Sequence, residues 1–518
     1  MILEKTLDLL NPKYILRTDL TPELRMSIAY KAIEAEENRE WGAITALAKT
    51  YKICTTFIYT LRNGLKTLIP LIFSPNKEIN SSNKKEIIEK ILSYRLEGTM
   101  SISAISTIMK REGLNYSGQS TISQSLSAIG ALTPPIESIP EDKEFKITVT
   151  LDEIFIGSQP ILITLEPISS AIINIELANN RKGETWEKHL NYPLANRNIE
   201  IVNVVSDNGS GILLGVKNSL PDVHRQPDTF HALSHHLGIW VSRLESKAYS
   251  AIKYEYEREA VYLNSKTEKT MKEKRELYKD ACVKTIEAIE LYEDFRYLYI
   301  EAIRQLNPFQ SNGVLRNTTK GKEDLEVALE LIETIGHETI NREIKKIKKI
   351  LPNLLDYFDM AEKAIKNCKS LGLDDETIRI LSLEWQWNKN WMKAKNSKRK
   401  RIAKEQINKH NFTGKCMLWE DYESIKEKVF KELDNIIQAS SMVENINSLL
   451  RPYLDRSKNQ VTQEFLNLFA FYHNHKVYKR GKRAGKTPIE ILTGEKQDKD
   501  WIELLIERVE SKEADFFF

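Results

Sequence analysis

The sequence predicts a mixed α and α/β protein: a helical N-terminal region, then a mixed-sheet core that a large all-α insertion interrupts. Three observations predict it. Runs rich in β-branched residues are confined to residues 146–232. Between Gly238 and Pro308 there is no Gly or Pro, and from 240 to 440 there are only seven, in a stretch dense in the helix formers Glu, Lys, Leu and Ala. At 518 residues the chain exceeds what one core can organise, and 41% hydrophobic content is enough for globular packing.

Residues 1–133 read as helical and hold two segments of helix-turn-helix form. In the first, Gly42–Tyr51 is a short helix, Lys52–Cys54 the turn and Thr55–Arg62 the second helix. Leu47, Ala48, Ile53, Phe57, Ile58 and Leu61 would pack the corner, leaving Thr55, Thr56, Tyr59 and Arg62 outward for a groove. In the second, Ile102–Arg111 leads through Gly113 to Ser117–Leu126, where Gln119, Ser120 and Gln124 suit base edges or phosphates. Any small helical hairpin gives one such pattern; two in tandem are more specific. Residues 134–145, with Pro134, Pro135 and Pro140, read as a linker.

The next segment, 146–239, changes character. Lys146–Leu151, Ile161–Leu165 and Ala171–Leu177 suit an antiparallel meander. Gly183–Leu190 reads as a helix, Ile199–Val205 as a fourth strand, Ser210–Leu220 as a helix and Val223–Gln226 as a short fifth strand. The order β-β-β-α-β-α-β matches a ribonuclease-H-like topology, in which the first and fourth strands lie side by side. The all-helical insertion covers 240–433 and shows no sustained heptad. Residues 434–494 would complete the core, with helices at Asp434–Tyr453 and Glu464–His473 and then a basic segment. The tail, 495–518, reads as a short amphipathic helix followed by Phe516–Phe518.

Two carboxylates stand out. Asp152 ends or interrupts the first strand, and Asp207 ends the fourth, followed at once by Asn208-Gly209-Ser210-Gly211. A carboxylate at the end of an apolar strand is costly unless a cation compensates it. Two on neighbouring strands point to a shared divalent-metal site. Two-metal phosphoryl chemistry places carboxylates around ions about 3.5–4 Å apart, one ion activating the attacking oxygen and the other steadying the leaving one. The third acid is expected from a helix packed on the sheet, and Glu444 is the choice. Val443, Ile446 and Leu450 would face the sheet, with Glu444, Asn447 or Ser448, and Arg451 as a polar stripe. Asp434, Asp455 and Glu464 are rivals, and a lone Glu on a helix is ordinarily a solvated surface residue. Arg451 could hold a phosphate or the carboxylate. Asp228 could assist the metal site. His231 either starts a helix bonded to Asp228 or acts near the scissile phosphate.

These residues carry a resemblance. Asp152 in Val-Thr-Leu-Asp-Glu, Val205-Ser-Asp-Asn-Gly-Ser-Gly-Ile-Leu213, Asp228-x-x-His231 and Ser441-Met-Val-Glu-Asn-Ile-Asn447 resemble the DDE transposases whose ribonuclease-H-like core is split by a helical insertion. The stretches Asn467–His475 and Gly485–Gly494 are also similar to transposase C-terminal segments. The resemblance implies a bacterial or archaeal insertion-sequence enzyme with Asp152, Asp207 and Glu444 as catalytic metal ligands. Two Mg²⁺ (or Mn²⁺) ions would serve hydrolysis and then strand transfer. The partners implied are double-stranded terminal repeats and target DNA, and assembly on two ends implies at least a homodimer. Two other readings stay open: a helix-turn-helix regulator with a retired core, and a ribonuclease-H-like nuclease.

Charge is balanced overall, 76 basic against 73 acidic residues, so net charge alone does not call for nucleic acid. Its distribution is more telling. Lys389–Lys409 holds nine Lys/Arg against Glu405 alone, and Lys476–Lys486 holds six with no acid. Such runs are usually solvated surface. Beside a metal site they also suit a phosphate backbone, with Lys393, Lys395, Lys398, Arg399, Lys400, Arg401, Lys479, Arg480, Lys482 and Arg483 as contacts. Trp385, Trp387 and Trp391 precede the first run. Trp391 could stack on an unpaired base, although Trp clusters in helical blocks are more often core. The four scattered cysteines form no CxxC pair, which fits a reducing compartment. With no signal-peptide pattern and no spanning apolar run, the chain reads as cytoplasmic and nucleoid-associated.

Overall fold

The sheet comes first, because it positions everything else. In the computed structural model, which describes residues 17, 19–73, 81–394, 396–457 and 460–512 (the side chains of 70–73 and 81–83 excepted), five strands form one mixed sheet. They are β1 (Phe145–Ile156), β2 (Gln159–Glu166), β3 (Ala171–Leu177), β4 (Ile199–Ser206) and β5 (His224–Pro227). Their order is β3-β2-β1-β4-β5. The first three form an antiparallel meander, and β4 and β5 add in parallel. Chain order before the sheet runs through α1 (Pro22–Glu37), α2 (Ala43–Tyr51), α3 (Thr55–Phe73), α4 (Ser81–Leu92), α5 (Ile102–Arg111) and α6 (Gln119–Ala131).

The central strands are buried on both faces, which is why they read as continuous apolar runs. One face packs under α7 (Gly183–Asn196) and α8 (Ser210–Ser219), where Ile147, Val149 and Leu151 meet Trp186, Leu190, Ile212 and Val216. The other packs under α17 (Ser441–Arg456) and α18 (Gln463–His475), where Ile154, Ile156, Ile161 and Ile163 meet Val443, Ile446, Leu450 and Phe469. The β3 edge is sealed by side-chain amides of α18. Asn474 Oδ1 accepts from Ile172 N–H at 2.8 Å and its Nδ2 donates to Ile172 O at 2.9 Å. Gln463 bonds Leu177 N–H and Ile175 O in the same way, each at 2.8 Å. No strand edge is left open there for a second chain.

The helical block between β5 and α17 comprises α9 (Gly238–Leu263), α10 (Glu268–Gln305), α11 (Thr318–Thr334), α12 (Glu338–Leu354), α13 (Tyr357–Ser370), α14 (Asp375–Lys393), α15 (Ser397–Leu418) and α16 (Tyr422–Leu433). It has its own core, including Phe295, Leu329, Ile344, Tyr357, Phe358, Trp385 and Tyr422. After α18 come α19 (Pro488–Thr493) and α20 (Trp501–Lys512). Phe516–Phe518 lie outside the described residues.

Three expectations need adjusting. β1 runs on to Ile156, so Asp152 sits inside the strand rather than at its end. The helix expected from Asp434 starts at Ser441; residues 436–440 are irregular because their backbone is tied to the end of β5. The chain divides into two compact units at Lys85/Glu86 rather than at 133. In the first unit, Ile58 of α3 is buried with Leu20, Ile28 and Ala32, and Leu47, Ala48, Ile53, Phe57 and Leu61 pack around them. The second helical corner, α5 and α6, belongs to the sheet unit: Ile122 and Ile129 share a core with Leu468, Phe471 and Trp501. Gly130 permits this, since a Cβ there would stand 2.1 Å from Glu464 O of α18. Among the described residues no helix is long and apolar enough to cross a membrane.

Candidate active site

β1 and β4 pair in parallel with Thr150 opposite Val205 and Leu151 opposite Ser206. The next step along both chains is Asp152 and Asp207, each one residue past the last paired position of neighbouring strands. Asp152 has the parity of Ile154 and Ile156, which face α17. Asp207 lies in the turn that opens α8, and its Oδ1 accepts from Gly209 N–H at 2.9 Å.

α17 brings the third acid. Val443, Ile446 and Leu450 are buried on the sheet as the helical spacing predicted. Glu444 occupies the first turn, half exposed. Asn447, one turn on, is buried and donates Nδ2 to Asp152 Oδ2 at 3.0 Å. It is thus Asn447, not Ser448, that reaches the site; Ser448 Oγ bonds Asn445 O on the exposed side. Arg451 is exposed on the same helix.

His231 lies 3.8 Å from Glu444 Oε1 and 4.0 Å from Asp228 Oδ2 through Nε2. Both exceed hydrogen-bond length, and this buried Nε2 has no hydrogen-bond partner. Asp228 is the opposite case. Its Oδ1 accepts the N–H groups of Phe230 (2.7 Å) and His231 (3.2 Å), while Oδ2 accepts Ser440 N–H at 2.9 Å and the Ser440 hydroxyl. Thr229 adds N–H and Oγ1 bonds to Gln438 O, at 3.0 and 2.7 Å. The end of β5 therefore clamps the segment leading into α17, and this clamp sets where Glu444 stands.

Electrostatically, the charges of Arg181 and Arg225 act on Asp207, whereas burial dominates at Asp152. Burial pushes the Asp152 carboxyl up to about 7; the Glu153 N–H bond opposes this, the charge of Glu444 adds to it, His231 opposes it and Asp207 adds to it. Carboxylate oxygens are the donors that Mg²⁺ and Mn²⁺ prefer, and a buried carboxylate held near neutrality among two others is what a divalent cation would relieve. The donor chemistry fits. As the side chains stand, no three His, Cys, Asp or Glu among the described residues converge closely enough to hold an ion.

Arg225 was not foreseen. From β5 it donates to Asp207 O at 3.1 Å and Ser206 Oγ at 3.3 Å, and also bonds Asn208 Oδ1, fixing the turn that carries Asp207. Its signal was a lone arginine on a short strand beside the acid. Ser440 was also missed, since nothing in the sequence marks a backbone-clamping serine.

The remaining candidates stand on other elements of the chain. Thr55, Thr56 and Tyr59 are exposed on α3, whereas Arg62 is drawn to Glu36 at 3.3 Å. Gln119, Ser120 and Gln124 are exposed on α6. Lys398, Arg399, Lys400 and Arg401 are exposed on the first turns of α15, and Lys395 lies outside the described residues. Lys479 and Arg480 are exposed; Lys482 pairs with Asp434 at 3.1 Å. Arg483 is engaged structurally, donating to Ile168 O and Pro167 O at 2.8 Å each. Asp434 also accepts Trp385 Nε1 at 3.1 Å, so this rival third acid is occupied elsewhere. Trp385 is core, while Trp391 keeps 40% exposure.

Comparison with known protein families and with curated proteins gave no match to either.

Proposed function

We propose that the protein is a DNA transposase with a ribonuclease-H-like core, acting through Asp152, Asp207 and Glu444. The observation that carries the reading is Asp152 on β1 and Asp207 just past the end of the neighbouring β4, with Glu444 on the helix packed over Asp152. In this reading those three residues would hold the divalent ions, which supply Lewis acidity and an activated oxygen nucleophile. The chain's own residues prepare the site. Asn447 holds one oxygen of Asp152, Arg225 fixes the Asp207 turn, and the Asp228 clamp sets the start of α17. His231, with an unpartnered Nε2 between two carboxylates, could carry a proton to a leaving oxygen. The corners at α2–α3 and α5–α6 would act as helix-turn-helix readers of the element's ends, and two ends would require at least two copies of the chain.

The test is a strand-cleavage assay in Mg²⁺ on duplexes carrying the DNA that flanks the coding region. Wild-type protein should cut at the element ends, and Asp152→Ala, Asp207→Ala and Glu444→Ala should each abolish cutting while retaining end binding. Near-normal cutting by Glu444→Ala would remove the third acid from the assignment.

A further inference from the structure

The last turn of α14, the 434–440 segment and the 476–486 loop meet beside the Asp228 clamp. Lys389 sits among them, only partly exposed. Its ammonium is 3.9 Å from the centroid of the Trp385 ring and 3.3 Å from Ile436 O. A ring face and one carbonyl are modest compensation for an ammonium with three donors. Burial, the charge of Lys393 and that of Lys482 push Lys389 down to about 7, and Asp434 alone opposes them. That carboxylate is already shared between Trp385 and Lys482. Asp434 therefore serves Lys389 and Lys482 while Asp228 acts on Lys393, so two acids face three ammonium groups. Lys389 forms the floor of the cluster, and the exposed Lys393 and Lys482 form its rim.

The cluster is tied to the carboxylates through a short stretch of chain. Along it, Asp434 and Ile436 contact the lysines, Gln438 and Ser440 take the bonds from Thr229 and Asp228, and Glu444 follows. Four residue steps, from Ile436 to Ser440, span at most ~14 Å. The charge of Asp228 reaches Lys393 directly.

We propose that Lys389, Lys393 and Lys482 form a phosphate-binding subsite, and that its occupant is a backbone phosphate of the strand on which Asp152, Asp207 and Glu444 act. The choice of DNA as occupant rests on the transposase reading; the phosphate chemistry does not. A phosphate supplies the negative charge the cluster lacks. Lysines hold it as point charges, without reading sequence. Carboxylates repel a phosphate backbone, so a cationic hold a short distance along the strand keeps it aligned over them.

Two measurements on the full-length chain test this. In the first, inorganic phosphate is titrated at constant ionic strength and thermal melting is followed, with chloride as the control anion. Wild-type protein should gain stability with phosphate. Lys393→Gln/Lys482→Gln should lose that gain, and Lys393→Arg should keep it. In the second, binding of a labelled duplex is measured against salt. The double variant should bind more weakly, with a log–log salt slope smaller by roughly 0.9 for one lost phosphate contact. An equal phosphate response in wild type and double variant would overturn the subsite, even if the protein cuts DNA. A phosphate response lost in the double variant, in a protein that neither binds nor cuts DNA, would keep the subsite and overturn the transposase reading. An unchanged salt slope beside a lost phosphate response would make free phosphate the occupant and overturn the DNA assignment.

Discussion

Asp152 shows what a single carboxylate costs when it is buried inside a strand. In an unfolded chain it ionises near 3.8; folded, it holds its proton up to about 7. Between those values the unfolded chain sheds the proton and the folded one does not, so rising pH favours unfolding. The stability this residue contributes is complete below about pH 4 and lost as pH rises through about 7. Asp152→Asn cannot ionise. It should stabilise the metal-free protein at pH 8 by about 1–4 kcal/mol and change little at pH 4. Melting curves at the two pH values check this, and equal shifts at both would contradict the burial argument. Mg²⁺ should raise the wild-type melting temperature at pH 8 and leave that of Asp152→Asn nearly unmoved, because the ion relieves the same buried charge.

At the scale of elements, two contacts decide whether helices reach their places. The Asp228 clamp is one. Asp228→Ala would leave Ser440 N–H buried without its acceptor, at a cost of about 1–3 kcal/mol. Under the proposed function it should lower cleavage at least as far as stability, because Glu444 would lose its fixed approach. Circular dichroism and cleavage measured together test this: normal cleavage in a folded variant would mean that the sheet alone positions α17. The other contact is α6 on α18. Gly130→Ala places a Cβ 2.1 Å from Glu464 O, and the overlap involves backbone on both sides. A loss of about 1–3 kcal/mol is expected, read as a lower melting temperature. An unchanged melting temperature would show that the two helices can separate freely.

For the whole molecule, the division at Lys85/Glu86 changes how the chain can be cut. A fragment ending at residue 133 would strip Ile122 and Ile129 from Leu468, Phe471 and Trp501. It should aggregate or bind a hydrophobic dye, whereas residues 1–85 should stay monomeric by ultracentrifugation. Residues 86–512 should unfold cooperatively without the first unit. A well-behaved 1–133 fragment would mean that the α5–α6 corner packs adequately alone.

The sequence by itself determined the strand order, the extent of the helical block and that Asp152 and Asp207 come from neighbouring strand segments. Each depends on local pattern: strand periodicity, the scarcity of Gly and Pro from 240 to 440, and an acid one step past an apolar run. The buried face of α17 was legible for the same reason, since Val443, Ile446 and Leu450 recur at helical spacing. Only the tertiary structure decided that Asn447 rather than Ser448 meets Asp152, that Arg483 is committed to Pro167 and Ile168, and that α5–α6 is built onto the sheet unit. It alone brought Lys389 and Lys482 together, and Asp228 onto Ser440, across 212 residues. A stripe on one helix can be read from spacing. Which of two adjacent polar residues turns inward, and which distant segment lies opposite it, depends on how whole elements pack, and that is not encoded at any fixed interval along the chain.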